Sequence, residues 1–65
     1  MPWTADRYPV SMKNLPPIVR RKGIEIANAL LAEGYSEGHA IHIAIAQAKQ
    51  WARHHLDASL HVRDR

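Results

Sequence analysis

The sequence lacks cysteine and phenylalanine, and it has three glycines in 65 residues. Without cysteine, neither a disulfide nor a zinc site with thiolate ligands can form. A chain of this length makes one domain at most, and it buries only about 60% of the surface that its unfolded form exposes. Its stability must therefore come from close helix packing, from self-association or from a site built of histidines and carboxylates.

Long apolar runs are also absent. No run approaches the roughly 20 residues that a membrane-spanning helix needs. The start, MPWTADRYPV, has no basic stretch followed by an apolar one, as a secretory signal would have. We therefore expect a soluble, cytoplasmic protein without membrane contact. The net charge of +3 and the pI of about 9.8 permit contact with nucleic acid or an acidic partner without requiring it.

Proline marks the first part of the chain, since residues 1–16 contain three of the four prolines. This segment has no helical period, and we predict an extended arm with one short helical turn opened by Ser11. Pro17 is a favourable first residue of a helix, because the N–H that it lacks would have no partner there. Apolar residues then recur at helical spacing, which predicts a first helix over 17–33.

Polar residues occupy the other side of this first helix. They are Arg21, Lys22, Glu25 and Asn28. Arg21 and Glu25 have the i,i+4 spacing of a helical ion pair. Arg20, Arg21 and Lys22 lie in the first turns, where the helix dipole disfavours cations. This basic cluster therefore has either a stabilising contact elsewhere or a binding role.

The stretch EGYSEG, residues 33–38, predicts the turn between two helices. Gly34 suits the left-handed position that ends a helix, and Tyr35 follows as a closing hydrophobic residue. Ser36 is a favourable N-cap for a second helix over 36–56. A turn this short makes the helices antiparallel neighbours. The sequence thus predicts one all-α domain, an antiparallel helical hairpin with an extended, proline-containing N-terminal arm and a tail over 57–65.

The apolar stripe is wider than two helices can cover for each other. Small residues at Gly23, Ala40, Ala44 and Ala48 allow the helices to approach closely, and the larger apolar residues need a further partner. The arm could cover them with Trp3, Tyr8, Val10, Met12 and Leu15. A second copy of the chain could also cover them, through Ile41, Ile45, Ala48 and Trp51. Because monomers rarely expose so large an apolar patch, we predict a homo-oligomer and a role in protein interaction or structure.

The order of several short motifs resembles that of a known group. The pattern MPW…YP.SMKNLPP.VRRK.IEIANALL.EGY.EG.AI.IAIAQAK.WA, over residues 1–52, is similar to the YdaT-like small bacterial proteins, which have no established function. A more distant likeness is to the ChaB group, named for a proposed role in regulating cation transport. The resemblance implies a fold and supplies no catalytic residues.

Catalytic and metal-binding patterns are incomplete in this sequence. His39 and His42 are three residues apart and share a helix face, so they are weak candidates for metal ligands. A zinc site needs three or four ligands, and neither residue has a full set around it. No Ser/His/Asp arrangement or phosphate-binding glycine loop occurs. We therefore expect no metal, no cofactor and no enzymatic activity.

Nucleic-acid binding is the alternative function. Two helices joined by a short turn are reminiscent of a helix-turn-helix unit, with His39 and His42 facing bases. The residues that would contact phosphates are Arg20, Arg21, Lys22, Lys49 and Arg53. Against it, these basic residues are scattered, and no third helix is evident. A ubiquitin-associated-type surface at Gly34 and Tyr35 is a further alternative, but both residues are already explained by the turn.

Overall fold

The computed structural model describes residues 3–57. Within them, α1 spans Pro17–Ala32 and α2 spans Glu37–Ala52, and these two helices pack against each other. A short 3-10 turn over Val10–Met12 precedes α1, and a π-helical turn over Arg53–Asp57 follows α2. Because this part of the chain contains no strand, the predicted all-α helical hairpin with an N-terminal arm is confirmed. The predicted tail lies outside the described residues beyond Asp57.

The start of α1 depends on two prolines. Pro16 is extended, with ψ 149°, and Pro17 is the first helical residue. Neither proline has an N–H, so neither needs a hydrogen-bond acceptor at this helix end. The N–H of Arg20 donates to the Pro16 carbonyl at 2.8 Å and begins the helical hydrogen bonding. No side chain caps this end. The helix therefore begins through backbone restriction rather than through a capping hydroxyl or carboxylate.

The turn between the helices is built as the sequence predicts. Gly34 has φ 103°, a left-handed conformation that glycine adopts without a Cβ clash. The Gly34 N–H donates to the Leu31 carbonyl at 3.0 Å, and the Tyr35 N–H donates to the Leu30 carbonyl at 3.1 Å. This is the hydrogen-bond pair of a Schellman motif. Ser36 Oγ then accepts from the His39 N–H at 3.3 Å, which confirms it as the N-cap of α2.

Small residues line the contact between the helices. The residues at 0% exposure in the two helices are all alanines: Ala27, Ala40, Ala44 and Ala48. A Cβ placed on Gly23 would lie 3.6 Å from the Ala48 Cβ, so the backbones approach closely at this point. Ala48 was predicted to serve self-association. It is instead used inside the chain, because its side chain packs against the first helix.

The arm folds back onto its own hairpin. Met12 is at 0% exposure, and it joins Ile24, Ala27 and Ala44 in one buried cluster. Partly buried Trp3, Tyr8 and Leu15 of the arm pack around that cluster. The helical turn of the arm spans Val10–Met12 with Pro9 as its N-cap, two residues before the predicted cap Ser11. Val10, expected to help cover the helices, is 82% exposed and does not do so.

A side-chain amide ties the beginning of the arm to α1. The Trp3 N–H donates to Asn28 Oδ1 at 2.8 Å, and Asn28 Nδ2 donates to the Trp3 carbonyl at 2.9 Å. Both groups are partly buried. Asn28 was predicted on the exposed side of the first helix. Asn28 is instead partly buried, because the arm brings the N–H and carbonyl groups of Trp3 to its side-chain amide.

A guanidinium fixes the end of the arm where the chain enters α1. Arg20 Nη1 donates to the Lys13 carbonyl at 3.3 Å and to the Leu15 carbonyl at 3.2 Å. The same guanidinium lies over the Tyr8 ring, 4.7 Å from its centroid. Arg20 therefore has a stabilising role in the first turn of α1, where a cation is otherwise disfavoured.

Candidate interaction surfaces

One side of α1 faces away from the arm. Ile18 precedes Arg20 by two residues, which is about 200° of helical rotation, so Ile18 points away from the segment that Arg20 holds. On that side, a depression of about 330 Å³ is formed by side chains from both helices. We call it the open face, and its residues are Ile18, Arg21, Lys22, Glu25 and Trp51.

The apolar centre of the open face comes from Ile18 and Trp51. Ile18 is 50% exposed, although it is a large apolar residue. Trp51 is half-buried, and its ring stacks on the His55 ring with the centroids 5.0 Å apart. Lys22 Nζ lies 5.4 Å from the centroid of the Trp51 ring. Within the chain, Trp51 therefore contacts α1 and the turn after α2.

The rim of the open face carries charges of both signs. Lys22 Nζ and Glu25 Oε1 form an ion pair at 3.2 Å, and the Glu25 side chain is still 71% exposed. The predicted pair between Arg21 and Glu25 is wrong, since Lys22 takes that place. Arg21 is exposed and has no ion pair within the described residues. The face thus offers one unpaired cation and one accessible carboxylate beside an apolar centre.

The predicted self-association residues do not form one free surface. Ile41 and Ile45 pack against the buried cluster that includes Met12, and Ala48 is fully buried. Trp51 alone among the four belongs to the open face. Sequence reasoning missed Ile18, because it lies off the apolar stripe of the first helix. That position was itself a signal, since a large apolar residue outside the stripe is expected to be exposed.

A second surface lies on the back of α2, away from α1. Ala46 follows the buried Ala44 by two residues, so it points to the opposite side of the helix. Around it, a shallow depression of about 390 Å³ is formed by apolar and basic side chains together. We call it the basic bowl, and its residues are His42, Ile45, Ala46, Lys49 and Arg53.

The five predicted phosphate contacts are divided between the helices. Lys49 and Arg53 lie together in the basic bowl. Arg21 and Lys22 belong to the open face, and Arg20 is engaged with the arm. The predicted set is therefore not one surface. His42, predicted to face a base, lies instead beside Lys49 and Arg53.

The histidines were also predicted as weak candidates for metal ligands. The His39 ring lies edge-on to the Tyr35 ring, with centroids 6.2 Å apart, and both residues are exposed. His42 belongs to the basic bowl. Among the side chains that the structure describes, no three from His, Cys, Asp or Glu converge as metal ligands would. In the same part of the chain, none of the helices has both the length and the hydropathy to cross a membrane.

These observations define the fold class as a small all-α helical hairpin that its own N-terminal arm closes on one side. Comparison with known proteins then finds 58% identity over 52 residues to the uncharacterized protein YdaT of Bacillus subtilis strain 168. The chain is therefore YdaT-like, and the predicted resemblance is confirmed. The alignment covers 80% of this chain but only 35% of that relative, so the chain spans about a third of its length. No family model and no solved structure matches, and the likeness to the ChaB group finds no support.

Proposed function

We propose that this chain is a protein-interaction module that self-associates through the open face. The main support for this proposal is that the two sides of the hairpin are not equally covered. The arm covers one side, whereas Ile18 remains 50% exposed beside Trp51 on the other. Apolar residues grouped on a surface with a polar rim are typical of protein contact sites.

The charges of the open face favour a second copy of the chain as the partner. In a two-fold dimer the same patch meets itself, so each charge must find its opposite within that patch. Arg21 of one copy could face Glu25 of the other, because Glu25 is still 71% exposed beside Lys22. Ile18 and Trp51 would then meet at the centre. A partner carrying only acidic groups would leave Glu25 unmatched.

The size of the open face sets the expected strength of the contact. Specific interfaces bury about 1,200–2,000 Å² in total, and weak, transient ones bury less. A single apolar centre with a charged rim belongs to the smaller class. We therefore expect reversible dimers at micromolar to millimolar concentration.

Sedimentation velocity over that concentration range tests the proposal. The variant Ile18→Glu places a carboxylate at the apolar centre, and its fold should survive because the site is half-exposed and an acid in the first turn suits the helix dipole. The control is Val10→Glu, which adds the same charge at an 82% exposed position of the arm. Wild type and the control should associate, and Ile18→Glu should stay monomeric. A 7.4 kDa species alone at every concentration of wild type would overturn the proposal.

The proposal includes a cytoplasmic location and no catalytic activity of this chain. The lack of cysteine fits a reducing compartment. The helix-turn-helix alternative has weaker support, because Arg20 is held by two carbonyl groups and the Tyr8 ring rather than being available for phosphates. Its remaining support is Lys49 of α2 together with Arg53, the residue that follows α2.

A further inference from the structure

The basic bowl has a regular geometry along α2. Its residues His42, Ala46, Lys49 and Arg53 follow at i, i+4, i+7 and i+11, so they form one row on the exposed side of the helix. All four are exposed. With a rise of about 1.5 Å per residue, His42 and Lys49 stand about 6 and 4.5 Å along the axis on either side of Ala46. The small alanine leaves a hollow between side chains that can donate hydrogen bonds.

The bowl is uniformly non-acidic. Between His39 and His55 the sequence contains no carboxylate. Lys49 and Arg53 form no ion pair with any of the described side chains. Among the described side chains, therefore, no ion pair has to be broken before these two cations bind an external anion.

We propose that the basic bowl binds the phosphate backbone of nucleic acid, with a phosphate group seated over Ala46. The Arg53 guanidinium can donate two parallel hydrogen bonds to phosphate oxygens, and Lys49 supplies a second positive charge. His42 adds a ring N–H on the other side of the hollow. Contacts to phosphate groups carry no sequence information, so we expect the binding to be independent of sequence.

An anionic membrane surface is the main competing partner, and the fold disfavours it. A helix that lies on a membrane inserts its apolar face among the lipids. The apolar face of α2 is instead used inside the hairpin, where Ala40, Ala44 and Ala48 are at 0% exposure. A bilayer could therefore contact the basic bowl only through the charges of its headgroups. A nucleic-acid strand, in contrast, offers successive phosphates along the row of bowl residues.

This site is separate from the proposed self-association. The basic bowl lies on the exposed back of α2, and the open face is built mainly on α1 with Trp51. The two surfaces share no residue. Ile18→Glu should therefore leave nucleic-acid binding per chain unchanged, and a change in the bowl should leave the sedimentation of the free protein unchanged.

Fluorescence anisotropy with a labelled random-sequence DNA duplex tests the proposal. Two neutralised phosphates predict a slope of about −1.8 in the plot of log affinity against log salt. Ala46→Glu should lower the affinity about tenfold or more, because a carboxylate then occupies the phosphate position. Val10→Glu, with the same change in net charge, should retain most of the affinity. Lys49→Gln should reduce the salt slope by about one.

Three results would overturn the proposal. One is no binding of the duplex by wild type at low salt. Another is an equal loss of affinity in Ala46→Glu and Val10→Glu, which would assign the binding to net charge alone. The third is equal affinity for phosphatidylserine vesicles and for the duplex, which would assign the bowl to anionic surfaces in general. Circular dichroism of each variant should give the wild-type helix content, since Ala46 and Val10 are both exposed.

Discussion

The two long sides of the hairpin differ in how they are closed. On the arm side, Met12 is at 0% exposure, and the amide of Asn28 forms hydrogen bonds with the Trp3 backbone. On the open face, Ile18 is 50% exposed beside a half-buried Trp51. A pair of helices has an apolar stripe too wide to be hidden by one mutual contact. This chain covers one edge of the stripe with its own arm, whereas Ile18, which lies outside the stripe, remains exposed.

This difference predicts separate effects of substitutions on stability and on association. Substitutions on the arm side should lower the free energy of unfolding and leave any contact between folded chains intact. Substitutions on the open face should weaken the contact between folded chains and leave the free energy of unfolding nearly unchanged. A small domain has little stability to lose, so a few kcal/mol on the arm side is a large fraction of the total.

The largest effect is expected for Met12→Ala. Removing a fully buried methionine side chain leaves a cavity against Gly23 and should lower the free energy of unfolding by about 2–5 kcal/mol. Val10→Ala, in the same short turn, removes an 82% exposed side chain and should change it by about 0.5 kcal/mol or less. Urea unfolding followed by circular dichroism measures both. Similar losses in the two variants would mean that the arm does not pack on the hairpin.

A smaller effect is expected for Asn28→Ala. This change removes two partly buried hydrogen bonds to the Trp3 backbone, and together they should contribute about 1–3 kcal/mol. The matched control is Asn14→Ala, since Asn14 is exposed. Limited proteolysis adds a second measurement, because loss of the tie should speed cleavage in the first residues of the arm. An unchanged cleavage rate would contradict the role given to Asn28.

Arg20→Ala should lower the free energy of unfolding by about 1–2 kcal/mol. It removes two hydrogen bonds to the carbonyl groups of Lys13 and Leu15 and the contact with the Tyr8 ring. Arg21→Ala, at the neighbouring exposed position, should cost about 0.5 kcal/mol or less. Thermal unfolding of the two variants in parallel gives the comparison. Equal midpoints would show that the Arg20 contacts contribute no net stability.

The smallest effect on stability is expected for Ile18→Ser. The side chain is 50% exposed and outside the buried cluster, so its loss should change the free energy of unfolding by about 1 kcal/mol or less. Self-association should nevertheless weaken, which sedimentation velocity would detect. A large loss of stability without any change in association would mean that Ile18 supports the fold and not a contact between chains.

Local signals made part of this fold predictable. Gly34 and Ser36 have roles that depend on neighbouring residues, and both roles are confirmed. The prolines at the start of α1 act through the backbone in the same local way. The helical hairpin followed from these signals together with the apolar period.

Long-range contacts were not predictable from the same patterns. Asn28 lies 25 residues from Trp3, and nothing in the period of the first helix marks it as the anchor of the arm. Lys22 and Arg21 both reach Glu25 by helical spacing, and the spacing alone does not decide which of them forms the ion pair. The packing of Ile41 and Ile45 against the cluster that contains Met12 was not predictable for the same reason, since it depends on where the arm lies.

Isotope-filtered nuclear Overhauser spectroscopy on a mixture of labelled and unlabelled chains tests whether the arm packs on its own hairpin while the open face contacts a second copy. It separates contacts within one chain from contacts between two chains. We expect the Met12 methyl group to contact Gly23 within one chain, and Ile18 to contact Trp51 across two chains. Contacts of Met12 across chains, or the absence of any cross-chain contact of Ile18 at millimolar concentration, would contradict it.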